Sequence, residues 1–385
     1  MKRILFIGHE ASKTGAPTVL LHLLRWLKRT RSDYFFDLLL LTGGELESEF
    51  RKVCNVHVLR KRIDGTNLMA AFSKAIRFLK KIFGRERRLL ASLAAKHSLV
   101  FSNTAVSLEM LKMFNDHGSR TICWMHELDH ALDTIFPRER FFELAESVDG
   151  FIVGSNAVRD MLLRRGITKP IDVVYEFVDV AAFSGEAEVD IRDMLGIPAN
   201  AFVVGGCATI ESRKGPDLFV QIARRVIEKS PDIYFLWVGG RYPSTEAEYQ
   251  KLRSNIVDAG LENRIIFTDI HNELSEYYRA MDIFILPSRE DPFPLVCLEA
   301  AIVEKPILCF ERAGGMPEFV GDDAGFAVPY LDVDAMAAKI GELEVNPDLR
   351  KRMGKAASAR VRARHDVSEG APEIVKVIER VAQER

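Results

Sequence analysis

The stretch 281–302, MDIFILPSREDPFPLVCLEAAI, joins a short apolar run to a helical pattern through a polar, proline-rich loop. The run 282–287 is almost continuously apolar, which is typical of a buried parallel strand. After the loop, Leu295, Leu298 and Ile302 follow helical spacing. This order predicts one strand–loop–helix unit of an open parallel sheet, where ligands bind in the loops beyond the carboxyl ends of the strands.

The same unit recurs in two series, with helical patterns such as Asp217–Lys229 and Glu246–Asp258 between the runs. The alternation predicts an α/β fold with two Rossmann-like doubly wound parallel sheets. The predicted strands of the first series are 3–8, 35–41, 98–103, 120–125 and 149–155, and those of the second are 201–209, 233–240, 264–269, 282–288 and 305–310.

A chain of 385 residues is long for one core, so two domains are expected. We place the domains at 1–180 and 190–366, with a linker within 177–198. Ligands are expected in a cleft between the two domains. Residues 367–385 have the pattern of a terminal helix.

Composition excludes several classes of protein. The net charge of −2 argues against a nucleic-acid binder that works by bulk charge. The five cysteines form no CxxC pair and no Cys/His cluster with zinc spacing, so we predict no metal site and buried, reduced thiols. There is no signal-peptide pattern and no run of 18 apolar residues. A cytoplasmic protein is therefore expected.

The segment 72–88 is basic and amphipathic, with seven Lys and Arg residues between Lys74 and Arg88 and a single acid, Glu86. Two interpretations stay open. It is either a helix packed on the core with a solvated basic face, or a peripheral contact with anionic lipid at the inner face of the membrane.

Two loops of the first series carry candidate functional residues. The loop after the first strand places Gly15 and Ala16 before a helix, where backbone N–H groups can bind an anion. It lacks GxGxxG, which argues against a nicotinamide or flavin site. His126 follows the strand 120–125 and could hydrogen-bond a reacting group. The alternatives are a tight helix-entry turn and a surface histidine.

Three loops of the second series are more informative. Arg213 and Lys214 precede a helix, where they could bind phosphate oxygens. Asp291 and Glu299 are carboxylates with seven residues between them, suited to gripping hydroxyls of one ligand. The Gly314–Gly315 turn exposes backbone N–H groups. Solvated charges and a tight turn are the alternatives.

With these residues in view, the sequence resembles a retaining GT-B glycosyltransferase of family four, the glycosyl transferases group 1. The resemblance covers nearly the whole chain and is strongest from Ala208 to Pro329. The family's hallmark is a carboxylate, seven residues and a glutamate, and here Asp291 stands where the family usually has Glu. Thr209 stands where many members carry an arginine. The resemblance implies that the C-terminal helix crosses back to the first domain.

The resemblance also implies roles for individual residues. The domain 1–180 would bind the acceptor, and the domain 190–366 would bind the donor. Glu299 would bind the donor ribose, Asp291 would lie by the transferred sugar, and Arg213 and Lys214 would stabilise the diphosphate. The other positions implied in catalysis or substrate binding are His126, Gly15, Ala16, Ile270 (which would face the base), Pro292, Phe293, Leu295, Val296, Gly314 and Gly315.

The expected reaction moves a hexosyl unit from a nucleotide-sugar, with UDP first and GDP second, to a saccharide or lipid-linked acceptor in polysaccharide or glycolipid biosynthesis. We expect a front-face displacement with retention, and neither metal nor cofactor, since the nucleotide-sugar is a substrate. Nucleic acid is not an expected partner. Two other functions stay open: a catalytically silent GT-B nucleotide-binding subunit, and a nucleotide-sugar epimerase or hydrolase.

Overall fold

The computed structural model describes residues 2–60, 85–183, 189–240, 245–269 and 274–383. The chain divides into two compact units. Unit 1 contains residues 1–176 and 367–385, and unit 2 contains residues 177–366.

Unit 1 is built on a seven-stranded sheet with the order β3-β2-β1-β4-β5-β6-β7, in which all described pairings are parallel. This is the order of a doubly wound sheet, in which the chain starts in the middle and moves outward in both directions. The strands are β1 (Lys2–Gly8), β2 (Tyr34–Thr42), β3 (Asn55–Arg60), β4 (Leu99–Ser102), β5 (Arg120–Met125), β6 (Gly150–Val153) and β7 (Ile171–Val173).

The helices of unit 1 bury their apolar faces against this sheet. In α1, for example, Leu20, Leu24 and Leu27 are buried at helical spacing. The described helices are α1 (Gly15–Thr30), α2 (Glu47–Val53), α3 (Arg85–Lys96), α4 (Leu108–Asp116), α5 (Asp129–Ile135), α6 (Arg138–Glu146), α7 (Asn156–Arg164) and, from the end of the chain, α16 (Val367–Gln383).

Helix α16 packs on α1 and β5 and so completes unit 1. Its Glu379 accepts hydrogen bonds from the Arg31 guanidinium at 2.9 Å and from the Tyr34 hydroxyl at 3.0 Å. Arg380 pairs with Asp172, the middle residue of β7. The C-terminal helix therefore belongs to the first unit.

Unit 2 repeats the architecture with a six-stranded parallel sheet, in the order β10-β9-β8-β11-β12-β13. Its strands are β8 (Val203–Cys207), β9 (Tyr234–Val238), β10 (Ile265–Thr268), β11 (Ile283–Leu286), β12 (Ile307–Phe310) and β13 (Gly325–Val328). Its described helices are α8 (Ile191–Met194), α9 (Pro216–Ile227), α10 (Glu246–Asp258), α11 (Leu274–Ala280), α12 (Leu295–Ile302), α13 (Met316–Val320), α14 (Val333–Glu344) and α15 (Pro347–Arg364).

Sheet order decides which loops meet in unit 2. Strand β11 lies between β8 and β12, so the three loops that follow these strands share one edge of the sheet. The middle of β11 is fully buried, as a strand covered by helices on both faces should be.

Three strands are missing from the two predicted series, and several predicted strands are longer than the observed ones. The structure adds β3, β7 and β13, which are short or interrupted by polar residues and glycine. The strand predicted to run to residue 209 ends at Cys207, because Ala208 and Thr209 leave the ladder with the loop. The predicted linker contains a 3₁₀ turn, Val180–Phe183, and helix α8.

Most of the basic segment 72–88 lies outside the described residues. Helix α3 begins at Arg85, and the side chains of Arg87 and Arg88 are exposed. Across the part of the chain that the structure describes, no helix is long and apolar enough to cross a membrane.

The cysteines are all free. Cys123, Cys207, Cys297 and Cys309 are buried, and Cys54 is half-buried. Burial raises the pKa of Cys54 and of Cys207 to about 12, so both are protonated thiols at neutral pH. Among the described residues, no group of three or more His, Cys, Asp or Glu side chains could hold a metal ion.

Candidate functional site

The candidate site of unit 2 begins with two loops that touch at backbone level. The loop after β8 forms a 3₁₀ turn, Ser212–Lys214, followed by Gly215 with φ +72°. A Cβ atom on Gly215 would lie 2.0 Å from the carbonyl oxygen of Pro287 in the loop after β11. The Arg289 amide also donates to the Arg213 carbonyl oxygen at 2.8 Å. Only glycine permits this approach, which fixes the two loops together.

The contact of greatest chemical interest joins these two loops. The Lys214 ammonium lies 2.5 Å from Oδ2 of Asp291. The side chains are 18% and 6% exposed, so the charges are largely shielded from water and paired with each other. A cation and an acid predicted from separate motifs are therefore direct neighbours.

Two arginines complete the junction. The Arg213 guanidinium donates to the Glu290 carbonyl oxygen at 2.9 Å. Arg289 grips both oxygens of Asp217, at 2.7 and 2.6 Å, and donates to the Ser212 carbonyl oxygen. Burial raises the pKa of Asp217, but Arg289 outweighs this effect and holds the pKa below its usual range. The acid in the first turn of α9 is thus neutralised, beside the two cations that precede the helix.

The loop after β12 is the third loop of the candidate site, and it contacts the loop after β11. The Asp291 amide donates to the Ala313 carbonyl oxygen at 2.7 Å, and the Gly315 amide donates to the Pro292 carbonyl oxygen at 2.9 Å. Gly314 has φ +147°, and a Cβ atom there would lie 1.7 Å from the Asp291 carbonyl oxygen. The predicted glycine turn therefore holds the acid's backbone in place.

Glu299 is the fifth residue of α12 and is partly buried. Its Oε2 accepts a hydrogen bond from the Tyr278 hydroxyl at 2.8 Å. Burial raises the pKa of Glu299, and the Tyr278 hydrogen bond opposes that rise. Of the remaining predicted positions, Phe293 and Leu295 are buried, Pro292 and Val296 are half-buried, and Ile270 lies outside the described residues.

In unit 1, His126 lies where β5 ends, and each of its two ring nitrogens makes a hydrogen bond. Nδ1 lies 2.8 Å from Oε1 of Glu176, and Nε2 lies 2.9 Å from Oδ1 of Asn103. The Asn103 amide nitrogen donates to the Ala16 carbonyl oxygen at 2.7 Å, which fixes its oxygen toward the histidine. Both ring nitrogens thus face acceptor oxygens, an arrangement that favours the imidazolium form of His126.

The same contacts explain its titration. Burial lowers the pKa of His126, but the charge of Glu176 and its hydrogen bond outweigh burial, so the pKa is raised. A histidine whose pKa is raised on folding contributes stability that is complete below its unfolded pKa of about 6.5. That contribution is lost as the pH rises through the folded pKa.

We expect Glu176→Gln to lower the free energy of unfolding by about 1–3 kcal/mol at pH 6 and by clearly less at pH 9. At pH 6 the variant must bury either an uncompensated imidazolium or a histidine that has given up its proton. Urea unfolding of both proteins at the two pH values measures the difference. An equal loss at pH 6 and pH 9 would show that the ion pair is not the source.

The predicted loop at the start of α1 is linked to this network. Ala16 is half-buried and contacts Asn103 through its carbonyl oxygen. Gly15 is exposed, and a Cβ atom on it would meet nothing within 4 Å. Packing within unit 1 therefore does not demand glycine at position 15.

Sequence reasoning missed four residues that position the predicted ones. Asn103 and Glu176 follow β4 and β7, so the rule that chemistry lies beyond strand ends could have found them. Arg289 lies in the quoted loop, but its partner Asp217 is 72 positions away. Tyr278 carries no signal in the sequence, because its contact depends on how α11 packs against α12.

Comparison with known proteins gives a consistent assignment for both halves. Residues 13–182 match the family model of Glycosyltransferase Family 4, and residues 189–360 match that of Glycosyl transferases group 1. Curated relatives include D-inositol 3-phosphate glycosyltransferases. The one from Saccharomonospora viridis is 27% identical over 58% of this chain and 55% of its own, and the one from Mycobacteroides abscessus is 32% identical over 53% and 46%. The matches thus span about half the length of these relatives.

Solved structures agree on the fold over the full length. HepE from Anabaena, in complex with UDP and glucose, superposes with a TM-score of 0.81 at 20% identity, over 98% of this chain and 100% of that one. Sucrose-phosphate synthase from Thermosynechococcus elongatus gives 0.78 at 19% identity, over 99% of both chains. With two doubly wound parallel sheets and family matches on both halves, the chain belongs to the family-four, group 1 glycosyltransferases with the GT-B fold.

Proposed function

We propose that this protein is a retaining hexosyltransferase that transfers a hexosyl unit from a UDP-sugar to a hydroxyl of a saccharide or lipid-linked acceptor, in polysaccharide or glycolipid biosynthesis. The observation that carries the proposal is the Lys214–Asp291 pair, at 2.5 Å, in the loops beyond β8 and β11. Arg213 adds a second cation in the same turn, and Glu299 adds a carboxylate on the helix that follows.

The donor would bind to unit 2 by charge and hydrogen bonding. Arg213 and Lys214 precede the amino end of α9, where the peptide dipoles also favour an anion, and would bind the diphosphate. Glu299 would accept hydrogen bonds from the ribose hydroxyls. UDP is our first choice of nucleotide, and the HepE complexes with UDP and UDP-glucose support it. GDP is the second.

One feature supports retention by front-face displacement rather than by a covalent intermediate. Asp291, the acid proposed to lie by the transferred sugar, is ion-paired with Lys214 and is therefore a weak nucleophile. In the proposed step the bond from the anomeric carbon to the diphosphate oxygen breaks as the acceptor oxygen attacks the same face. The hydroxyl proton passes to the departing diphosphate. Lys214 and Arg213 would stabilise the negative charge that develops there.

Neither metal nor cofactor is part of the proposal, because the two cations would do the work of a metal ion at the diphosphate. We further propose that the protein acts in the cytoplasm, at the inner face of the membrane when the acceptor is lipid-linked. The free thiols fit a reducing compartment. D-inositol 3-phosphate, named for the relatives, belongs among the acceptors to be tested.

Thermal unfolding in the presence of UDP, GDP and their hexose conjugates tests the donor. We expect UDP or a UDP-hexose at about 100 times its Kd to add about 2.7 kcal/mol, which raises Tm by about 5 °C or more. Lys214→Ala should lose most of this shift, whereas Lys229→Ala, which removes an exposed lysine of the same unit, should keep it. The donor assignment fails if neither nucleotide nor conjugate raises Tm.

The reaction itself is tested by incubating the stabilising donor with an acceptor panel and assigning the product's anomeric configuration by NMR. Retention of the donor's configuration supports the proposal, and inversion overturns the mechanism. Donor turnover that does not depend on any acceptor would favour an epimerase or hydrolase. Donor binding without turnover across the panel would favour a silent subunit.

A further inference from the structure

Tyr278 is a fully buried tyrosine whose hydroxyl reaches the candidate donor site. It lies on α11, is 0% exposed, and donates to Oε2 of Glu299 at 2.8 Å. Helix α11 packs against α12, which carries Glu299. The contact therefore ties the acid to a neighbouring helix rather than to its own.

Burying the Tyr278 hydroxyl lowers the stability of the fold unless the hydroxyl has a hydrogen-bond partner. A phenylalanine would fill the same apolar space without a polar group to desolvate, and a buried hydroxyl without a partner costs about 1–3 kcal/mol. Here the hydroxyl's partner is the one acid that the donor ribose is proposed to contact. Because Oε2 is held by Tyr278, the orientation of Oε1 is fixed as well.

We propose that Tyr278 is a positioning residue for ribose recognition: its hydrogen bond fixes the orientation in which the Glu299 carboxylate accepts from the ribose hydroxyls. This inference rests on the proposed function, in which unit 2 binds a nucleoside diphosphate. Tyr278 itself need not touch the nucleotide.

The charge state gives the proposal a distinct signature. Burial raises the pKa of Glu299, and the Tyr278 hydrogen bond works against that rise. Removing the hydroxyl raises the pKa further, so the carboxylate gains a proton, and loses acceptor strength, at a higher pH than in the wild type. A purely structural role for Tyr278 would not move a pH profile in this way.

The test compares the affinities of UDP and 2′-deoxy-UDP by calorimetry, with inorganic pyrophosphate as a ribose-free probe, at pH 6, 7.5 and 9. Wild type is expected to prefer UDP by at least about tenfold, since the deoxy compound leaves a charged acceptor unsatisfied. In Tyr278→Phe the preference should fall to threefold or less at pH 6 and recover toward pH 9, with pyrophosphate binding unchanged. Tyr277→Phe, one position away on α11, is the matched control and should keep the wild-type ratio at each pH.

The outcomes separate the two proposals. If wild type binds neither UDP nor pyrophosphate, the proposed function fails. If wild type binds UDP and prefers it over the deoxy compound, and Tyr278→Phe keeps the same ratio at all three pH values, only the positioning role is overturned. Should Tyr278→Phe fail to fold, 3-fluorotyrosine at position 278 keeps the shape of the side chain and makes its hydroxyl a stronger donor to Glu299. It is then expected to raise the preference for UDP at pH 6, and an unchanged ratio would overturn the role.

Discussion

Replacing Lys214 by alanine is expected to lower kcat/KM by about 10²–10³-fold, equivalent to about 2.7–4 kcal/mol of transition-state stabilisation. The variant loses the cation proposed to neutralise the leaving diphosphate. It also leaves the buried Asp291 carboxylate, 2.5 Å from the ammonium in the wild type, without its ion-pair partner. Steady-state kinetics with the best UDP-hexose measures the effect.

Two further variants separate the loss of the Lys214 cation from the loss of any lysine and from the effect of an unpaired Asp291. Lys229→Ala removes an exposed lysine after α9 and should leave kcat/KM within about twofold of wild type. Lys214→Ala/Asp291→Asn removes the unpaired charge along with the lysine. If the double variant recovers the stability lost in the single one, that loss comes from the unpaired carboxylate and not from a disturbed fold. A Lys214→Ala enzyme with wild-type kcat/KM would refute its role at the diphosphate.

Gly314→Ala is expected to lower the free energy of unfolding of unit 2 by about 3 kcal/mol or more, and to reduce donor binding with it. Gly314 has φ +147°, and a Cβ atom would lie 1.7 Å from the Asp291 carbonyl oxygen. The loop must move apart to make room. The hydrogen bonds from Asp291 to Ala313 and from Gly315 to Pro292 would then be strained together.

Gly341→Ala is the matched control, because it introduces the same methyl group at a glycine where there is room for it. Gly341 lies inside α14, and a Cβ atom there would meet nothing within 4 Å. Alanine should stabilise the unit by about 0.5–1 kcal/mol, because it favours the helix and restricts the unfolded chain. Urea unfolding of both variants checks the pair, and equal midpoints for Gly314→Ala and wild type would contradict the steric argument.

Much of the fold could be predicted from short apolar runs separated by helical periodicity. Helix α10 has the predicted bounds, Glu246–Asp258, and β5 has the predicted run 120–125. The missed strands show what the pattern lacks. In β3 the apolar residues alternate with polar ones, β7 has three residues, and β13 begins with glycine, so each is recognisable only by the neighbour with which it pairs.

The sequence predicted which loops and residues form the candidate site better than it predicted the hydrogen bonds between them. Strand ends pointed to the loops that carry Lys214 and Asp291, and their contact follows because β8 and β11 are neighbours in the sheet. The chemical roles of these residues stay predictions. What the pattern could not reveal is the set of side chains that hold them, since the partners of Glu299 and His126 come from 21 to 50 positions away.

The placement of α16 reverses the usual order of folding during synthesis. A ribosome makes the seven strands of unit 1 first, yet the helix that covers α1 and β5 emerges only after all of unit 2. Unit 2 is contiguous and can therefore reach its native state while unit 1 still exposes the apolar surface that awaits Ile374, Ile378 and Val381. The nascent first unit should thus depend most on chaperones during the time in which the second is translated.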